Sequence, residues 1–318
     1  MKVIDHINQR KEKTLFSFEM LPPLKGKSIE SIYQGIDPLL DFDPKFINVT
    51  YHRQEFEYKK REKGYLEKVA VRKRPGTVGI CAAIQNKYKI DAVPHLICGG
   101  FSKDETENAL LDLQFLGIDN VLALRGDAPK MEKKFIAEPD GNAHAVDLVR
   151  QITELNNGHF LDHDLKNPEP TNFSVGVAGY PEKHFESPNL SMDIERLKAK
   201  VDAGADYIVT QLFFDNNKFF KFVEDCRKAG INVPIVPGIK PLSTLRHIDF
   251  IPSTFFIDFP VELTDALRKC KSNDEVKIVG KEWAIQQCKE LIKHDVPVLH
   301  FYTMGKSSTT REICEAIF

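Results

Sequence analysis

The sequence predicts an α/β fold, a closed (β/α)8 TIM barrel, and three observations carry that prediction. Strand-like apolar runs recur along the chain with helix-length amphipathic stretches between them, the order that builds a parallel sheet with crossover helices. Eight or nine such strands in 318 residues suit a barrel of about 250 residues with insertions. The alternative, an open doubly wound sheet, would show a glycine-rich turn if it bound a dinucleotide, and no G-x-G-x-x-G occurs.

The first strand is TLFSFEM (14–20), where apolar residues alternate with Ser17 and Glu19 until Pro22 and Pro23 end the run. A carboxylate near the end of a buried strand is costly unless it is paired or its pKa moves. FINVTYH (46–52) follows, then VGICAAI (78–84) and VPHLICGG (93–100) across a short polar gap. NVLALRGD (120–127), FSVGVAGYP (173–181), YIVTQLFF (207–214), VPIVPGI (233–239) and VLHFYTM (298–304) complete the set. Apolar residues at helical spacing predict helices over 104–117, 191–204, 217–230 and 272–295. The polar stretches 128–144 and 156–172 carry Pro and Gly and read as solvated insertions in loops. No linker or internal repeat divides the chain, so residues 1–318 are expected to form one domain.

Hydrophobic residues are 42% and charged residues 28%, ordinary for a globular protein, and a net charge of −2 offers no basic field to nucleic acid. No apolar run approaches the ~18 residues of a membrane span. The start, MKVIDHINQRKEKT, has no apolar signal-peptide core, so a cytoplasmic location is expected. The six cysteines (81, 98, 226, 270, 288, 314) are scattered without a C-x-x-C, and read as small apolar filler in a reducing compartment. Cys81 and Cys98 fall in strand-like runs, and Cys226, Cys288 and Cys314 in helix-like ones. The spacing of metal-ligating residues suggests no metal site.

Barrel enzymes place their functional groups at the carboxyl ends of strands. Those ends here carry Glu19, Thr50, His95, Asp127, Tyr180, Gln211 and Tyr302. Any one of them reads equally as a core group hydrogen-bonded to nearby backbone, but seven in series exceed what a core requires. Glu19 and Asp127 are two carboxylates able to divide into a proton donor and a permanent anion. The RGD within LRGDAP follows an apolar strand, which argues against an adhesion motif, and Gly126 lets backbone approach a ligand closely. Asp193, Arg196 and Lys200 recur at three- and four-residue spacing and share a helix face. That face is either solvated or meets a phosphate or ribose, with His184 joining across the loop.

Taken together, FSFEMLPP (16–23), VTY (49–51), PHLICGG (94–100), ALRGD (123–127), YPEKH (180–184), LKAKVDAGADYIVTQLFFD (197–215), VPGIKPLS (236–243) and HFYTM (300–304) resemble the methylenetetrahydrofolate reductase family. The likeness is to its bacterial, catalytic-domain-only form and covers almost the whole chain. It implies a barrel holding non-covalent FAD across its carboxyl face. It also implies reduction of 5,10-methylenetetrahydrofolate to 5-methyltetrahydrofolate with NADH or NADPH, the two substrates using one pocket in turn, to supply methyl groups for methionine synthesis. A homo-oligomer is expected, with no nucleic-acid or membrane partner.

By the same resemblance Glu19 is the general acid that helps open the folate's five-membered ring. Asp127 is the anion near the flavin that stabilises the developing cation, and Gln211 bonds the pterin. Thr50, His95, Leu124, Arg125, Gly126, Asp127, Tyr180, His184, Asp193, Arg196 and Lys200 fall where the family touches FAD. Among them Thr50 lies by the isoalloxazine, and Lys200 and His184 by the pyrophosphate or ribose. Tyr302 and Lys306 fall where the family approaches the folate tail or dinucleotide.

The sequence departs from the family in places. YTMGKSS (302–308) stands where many relatives have Leu-Asn-Arg after Tyr-Thr, so that Lys306 replaces a basic residue of different geometry. His247, Phe250 and Ile251 are equal candidates for the group covering the substrate, and Ala199 replaces a basic residue of some relatives. Nothing resembles the extra domain through which eukaryotic relatives respond to S-adenosylmethionine. Two other readings stand beside this one: a flavin-free lyase or aldolase with Lys240 as the nearest Schiff-base candidate, and a non-catalytic folate- or flavin-binding subunit.

Overall fold

The structure is a computed structural model that describes residues 1–11, 13–128 and 134–318. Its strands are β1 (Leu15–Met20), β2 (Phe46–Val49), β3 (Glu55–Lys60), β4 (Leu66–Val71), β5 (Asp91–Ile97), β6 (Asn120–Leu124), β7 (Ser174–Gly179), β8 (Tyr207–Leu212), β9 (Ile235–Ile239) and β10 (Val298–Tyr302). All but β3 and β4 pair in parallel, in chain order, and β10 returns to β1 to close the barrel. The expected (β/α)8 barrel is the observed fold.

Alternation of side chains along each strand divides two cores. Outward residues such as Phe16, Phe18, Met20, Ile47 and Val49 meet the surrounding helices. Inward residues Phe46, Val93, Leu122, Tyr207, Val209, Val236 and Val298 fill the amino-terminal part of the barrel. A short helix, Val3–Asn8, closes that end by adding Val3 and Ile7 to the inner cluster. It is pinned to the first residues of two strands, with the Val3 amide donating to Asn120 Oδ1 at 2.7 Å and His6 Nε2 lying 2.7 Å from Asp91 Oδ2. Two glycines admit large rings into this interior. A Cβ on Gly176 would overlap the Tyr207 ring, and one on Gly238 would overlap the Tyr302 ring and the Thr210 carbonyl.

The four expected helices are present as Lys103–Phe115, Leu190–Asp202, Asn216–Lys228 and Asn273–Lys293. Their starts are chemically marked. Ser102 Oγ accepts from the Glu105 amide at 3.1 Å while Glu105 Oε2 accepts from the Ser102 amide at 2.8 Å. Asn189 and Ser272 cap the starts of two others.

The run 78–84, expected as a strand, lies inside the helix Thr77–Tyr88. Its buried residues are Thr77, Ile80, Cys81 and Ile84, a 3.6-residue period hidden in a short apolar run. Cys81 is therefore helical. All six cysteines are free thiols, and all but the half-buried Cys270 are buried.

The sequence reading also passed over β3 and β4, an antiparallel hairpin outside the barrel with Phe56, Tyr58, Tyr65 and Leu66 exposed. Neither hairpin face is buried, and the alternation Glu55-Phe56-Glu57-Tyr58 is too short to announce a strand by itself. The helices Glu30–Ile36, Ala145–Asn156, His247–Phe255, Val261–Lys269 and Ser308–Ile317 were likewise not read.

Of the first expected insertion, residues 129–133 lie outside the described residues. The described parts of both insertions are irregular but not wholly solvated. Phe135 and Phe160 pack against the outer core, and Asn142 donates to Gln151 Oε1 at 2.7 Å in a buried contact. Among the described residues no helix is long and apolar enough to cross a membrane.

Candidate active site

The carboxyl mouth of the barrel is built by in-register rows. Ser17 on β1 pairs with His300 on β10, and His300 with Gly238 on β9. Two residues further on, Glu19 pairs with Tyr302, and Lys240 is the next inward position after Gly238. Glu19, Tyr302 and Lys240 thus form one row across three adjacent strands. Lys240 Nζ donates to the Tyr302 carbonyl at 2.9 Å, and the Tyr302 hydroxyl donates to the Thr210 carbonyl at 2.6 Å.

Glu19 keeps a side chain only 12% exposed. Burial raises its pKa from 4.5 to about 8, against the opposing pull of the Lys240 charge. His95 Nε2 lies 3.5 Å from Glu19 Oε2 and 3.3 Å from Asn48 Nδ2. Burial, reinforced by His52, drives the His95 imidazole down to about 3. Around pH 7 the Glu19–His95 contact therefore joins a neutral acid to a neutral imidazole and is not an ion pair. Directly beneath, Ser17 Oγ and His300 Nδ1 are 2.8 Å apart, and burial also lowers His300 to about 3.

A second set gathers where β7 ends and the helix Leu190–Asp202 begins. The Tyr180 and His184 rings meet edge-on at 4.8 Å. Burial raises the Tyr180 phenol and, more strongly than Glu186 opposes it, lowers His184. Asp193 accepts from Ser187 Oγ at 2.7 Å and from the His184 amide at 3.0 Å, while Arg196 donates to Ser187 Oγ at 3.1 Å. Lys200 is half-buried, with its ammonium enclosed against the Ala178 carbonyl at 2.6 Å. Burial brings its pKa down to about 8, with Asp193 pulling upward. Asp193 and Lys200 are therefore enclosed, while Arg196 is tied to the cluster through Ser187 but remains exposed.

The remaining expected positions line the rim. Thr50 Oγ1 lies 3.2 Å from His52 Nε2. Leu124 packs at the top of the inner cluster. Gly126 has φ +82, a backbone region that side chains rarely adopt. Arg125 pairs with Glu186 and lies over the Phe135 ring at 5.1 Å. Asp127 is exposed, and its charge reaches His52 and Tyr180. Gln211 is half-buried, with Oε1 accepting from the Leu212 amide at 2.9 Å beside a register shift in β8.

Burial lowers Lys240 to about 8, and the exposed Lys306 is near enough that its charge adds to the lowering of both Lys240 and His247. Burial first, then those two lysines, lowers His247 to about 4. Of the three candidate covering residues, Ile251 is spent in a core cluster with Leu212 and Leu242, which leaves His247 and the exposed Phe250. Sequence reasoning missed Asn48, His300 and the placement of Lys240 beside Glu19. The alternation S-x-E in β1 and H-x-Y in β10 was the available signal for His300.

Fold and site together define a parallel (β/α)8 barrel with a neutral acid inside its carboxyl mouth and a cationic cluster on the rim. The methylenetetrahydrofolate reductase family model matches residues 2–317, and the chain belongs to that family. It is 36% identical over 317 residues to methylenetetrahydrofolate reductase (NADH) 1 of Arabidopsis thaliana, covering 96% of this chain and 49% of that protein. It is 30% identical over 302 residues to 5,10-methylenetetrahydrofolate reductase of Escherichia coli (strain K12), covering 95% and 90%. The chain thus spans about half the length of the plant relative and most of the bacterial one. An uncharacterized protein from Clostridium thermocellum that binds two copies of 5-methyl-5,6,7,8-tetrahydrofolic acid shares the fold, with a TM-score of 0.59 at 14% identity, over 98% of this chain and 97% of that one.

Proposed function

We propose that residues 1–318 act as a single catalytic domain that reduces 5,10-methylenetetrahydrofolate to 5-methyltetrahydrofolate, with NADH or NADPH as the reductant and non-covalent FAD at the barrel mouth. Family membership sets the class of reaction. The observation that carries the reading is Glu19, a carboxyl group kept neutral near pH 7 at the carboxyl end of a barrel strand yet open enough to meet a ligand. Proton donation at neutral pH calls for such an acid, with a pKa close to the working pH. Curated relatives are named for NADH in Arabidopsis thaliana and NADPH in Caenorhabditis elegans, so both reductants belong in the proposal.

The rim residues fit FAD by the chemistry of their donors. Arg125, Arg196 and Lys200 offer positive charge to a pyrophosphate, and Lys200 is an enclosed ammonium whose one neutral partner is a backbone carbonyl. At Gly126, φ +82 and a would-be Cβ within 3.2 Å of Ile97 both favour glycine, which leaves the rim backbone without a side chain at this point. Bound FAD would supply the redox chemistry, taking hydride from the nicotinamide and giving it to the folate.

The chain's own residues do the rest in this reading. Glu19 gives its proton to a ring nitrogen of the folate, which opens the five-membered ring. Asp127, exposed at the rim, is the carboxylate set beside the cation that develops. Gln211 turns from the Leu212 amide to the pterin, and Tyr302 and Lys306 border the folate tail or dinucleotide. Thr50, His95, Leu124, Tyr180, His184 and Asp193 complete the FAD contacts. Heat-released cofactor identifies the flavin, and anaerobic stopped-flow with each nicotinamide, then with folate, tests the reaction. A colourless protein that cannot be reconstituted with FAD refutes the proposal.

A further inference from the structure

We propose that Lys240 is a positioning residue for Glu19, its ammonium being the counter-charge that stabilises the carboxylate left when Glu19 gives up its proton. The inference rests on the reading of Glu19 as the proton donor. When the donor acts, the carboxyl O–H bond breaks, the proton goes to the substrate nitrogen and the electron pair stays on Glu19. That leaves an anion in a site with little water, a costly state unless an opposite charge faces it.

Among the described residues the geometry puts one cation, Lys240, in that place. Lys240 occupies the same row as Glu19, one strand beyond Tyr302, so the two backbones are roughly 10 Å apart at the usual ~4.8 Å strand spacing. Both occupy inward positions of the barrel, and the charge of each acts on the other. The ammonium is anchored by its 2.9 Å bond to the Tyr302 carbonyl, the residue paired in register with Glu19.

Other groups facing this row do not supply the charge. His95 touches Glu19 but is neutral, burial holding it at about 3. Tyr302 is a phenol raised by burial, and His300 below it is held neutral. Arg74, at the base of the hairpin arm, donates to the Pro22 carbonyl, and its charge falls on His52. Lys306 and His247 face Lys240, with Lys306 repelling it. The charge whose field falls on Glu19 is that of Lys240; burial lowers the Lys240 ammonium to about 8, and Glu19 in turn pulls it upward, so the counter-charge is present at pH 7 and fades over the same range in which Glu19 ionises.

The test uses the flavin-loaded protein with Lys240→Gln, Lys240→Met and Lys240→Arg. Glutamine keeps a donor for the Tyr302 carbonyl without charge, which separates the hydrogen bond from the field. Glu19 protonation is read without turnover, from the infrared carboxylic C=O band that Glu19→Gln abolishes. The expected result is a Glu19 midpoint raised by about one pH unit in the Gln and Met variants, the low end for loss of an opposite charge, and restored in Arg. The alkaline limb of the folate half-reaction should move upward with it, while its plateau falls a few-fold because the acid is weaker. An unmoved midpoint, or no Glu19 band anywhere from pH 5 to 9, overturns the inference. A midpoint that moves while the folate limb stays still upholds the role of Lys240 and refutes Glu19 as the donor.

Discussion

Replacing Glu19 with glutamine should slow catalysis and stabilise the protein, and both effects follow from one burial. The side chain is 12% exposed and its pKa lies near 8 instead of 4.5. Between those values the folded protein holds a proton that the unfolded chain has released. The stability conferred by that bound proton is therefore complete below pH 4.5 and is lost as pH rises toward 8, at about 1.4 kcal/mol per pH unit. At pH 7 the loss has a ceiling of about 3 kcal/mol. Glutamine has the size of a protonated glutamate and does not titrate, so the loss disappears.

Parent and Glu19→Gln should melt together near pH 4.5, and the variant should melt several degrees higher by pH 8, at about 2 °C per kcal/mol for a chain this long. The same substitution removes the proposed proton donor. Folate reoxidation of the reduced flavin, followed anaerobically by stopped-flow absorbance, should fall by about 10²–10⁴-fold, the range that general acids contribute. Flavin reduction by nicotinamide needs no added proton and should be nearly unchanged. In the parent, the folate half-reaction should lose about tenfold per pH unit above pH 8. Equal damage to both half-reactions, or melting curves that differ by the same amount at every pH, would refute the reasoning and make Glu19 a structural or flavin-holding group.

Three further outcomes are expected. Lys200→Met should weaken FAD retention in equilibrium dialysis without lowering the melting temperature of the flavin-free protein, because the enclosed ammonium donates to the Ala178 carbonyl and faces Asp193; unchanged retention would detach the cluster from the flavin. Asp127→Asn should raise the flavin midpoint potential by tens of mV (30 mV is about 1.4 kcal/mol for two electrons) and slow the folate half-reaction, and a potential unmoved in spectroelectrochemistry would place Asp127 away from the ring. Gly238→Ala should cost about 1–3 kcal/mol in denaturant unfolding, since its Cβ would overlap the Tyr302 ring and the Thr210 carbonyl. A neutral result there would mean that Tyr302 has room to swing out of its row.

Much of the site was legible one strand at a time. Glu19, Thr50, His95, Asp127, Tyr180, Gln211 and Tyr302 stand out because a polar group at the end of an apolar strand is conspicuous in one dimension. The spacing of Asp193, Arg196 and Lys200 showed their common helix face, but not whether that face is wet. Where the reading failed, the local signal was itself ambiguous. VGICAAI serves a strand or a buried helix equally well, and the hairpin of β3 and β4 buries neither face, so that only the four-residue alternation at 55–58 marked it.

The sequence by itself determined the barrel class, the carboxylate in FSFEMLPP and the family to which the chain belongs. Each of these is written in residues two to four positions apart, or in short ordered motifs. Only the tertiary structure decided that Lys240 stands in the row of Glu19 and Tyr302, that His95 beside Glu19 is neutral, and that Lys200 is enclosed. The physical reason is that β1 and β10 lie at opposite ends of the chain and meet only when the barrel closes. The proton affinity of a buried group depends on the water and charge that closure takes away or brings near.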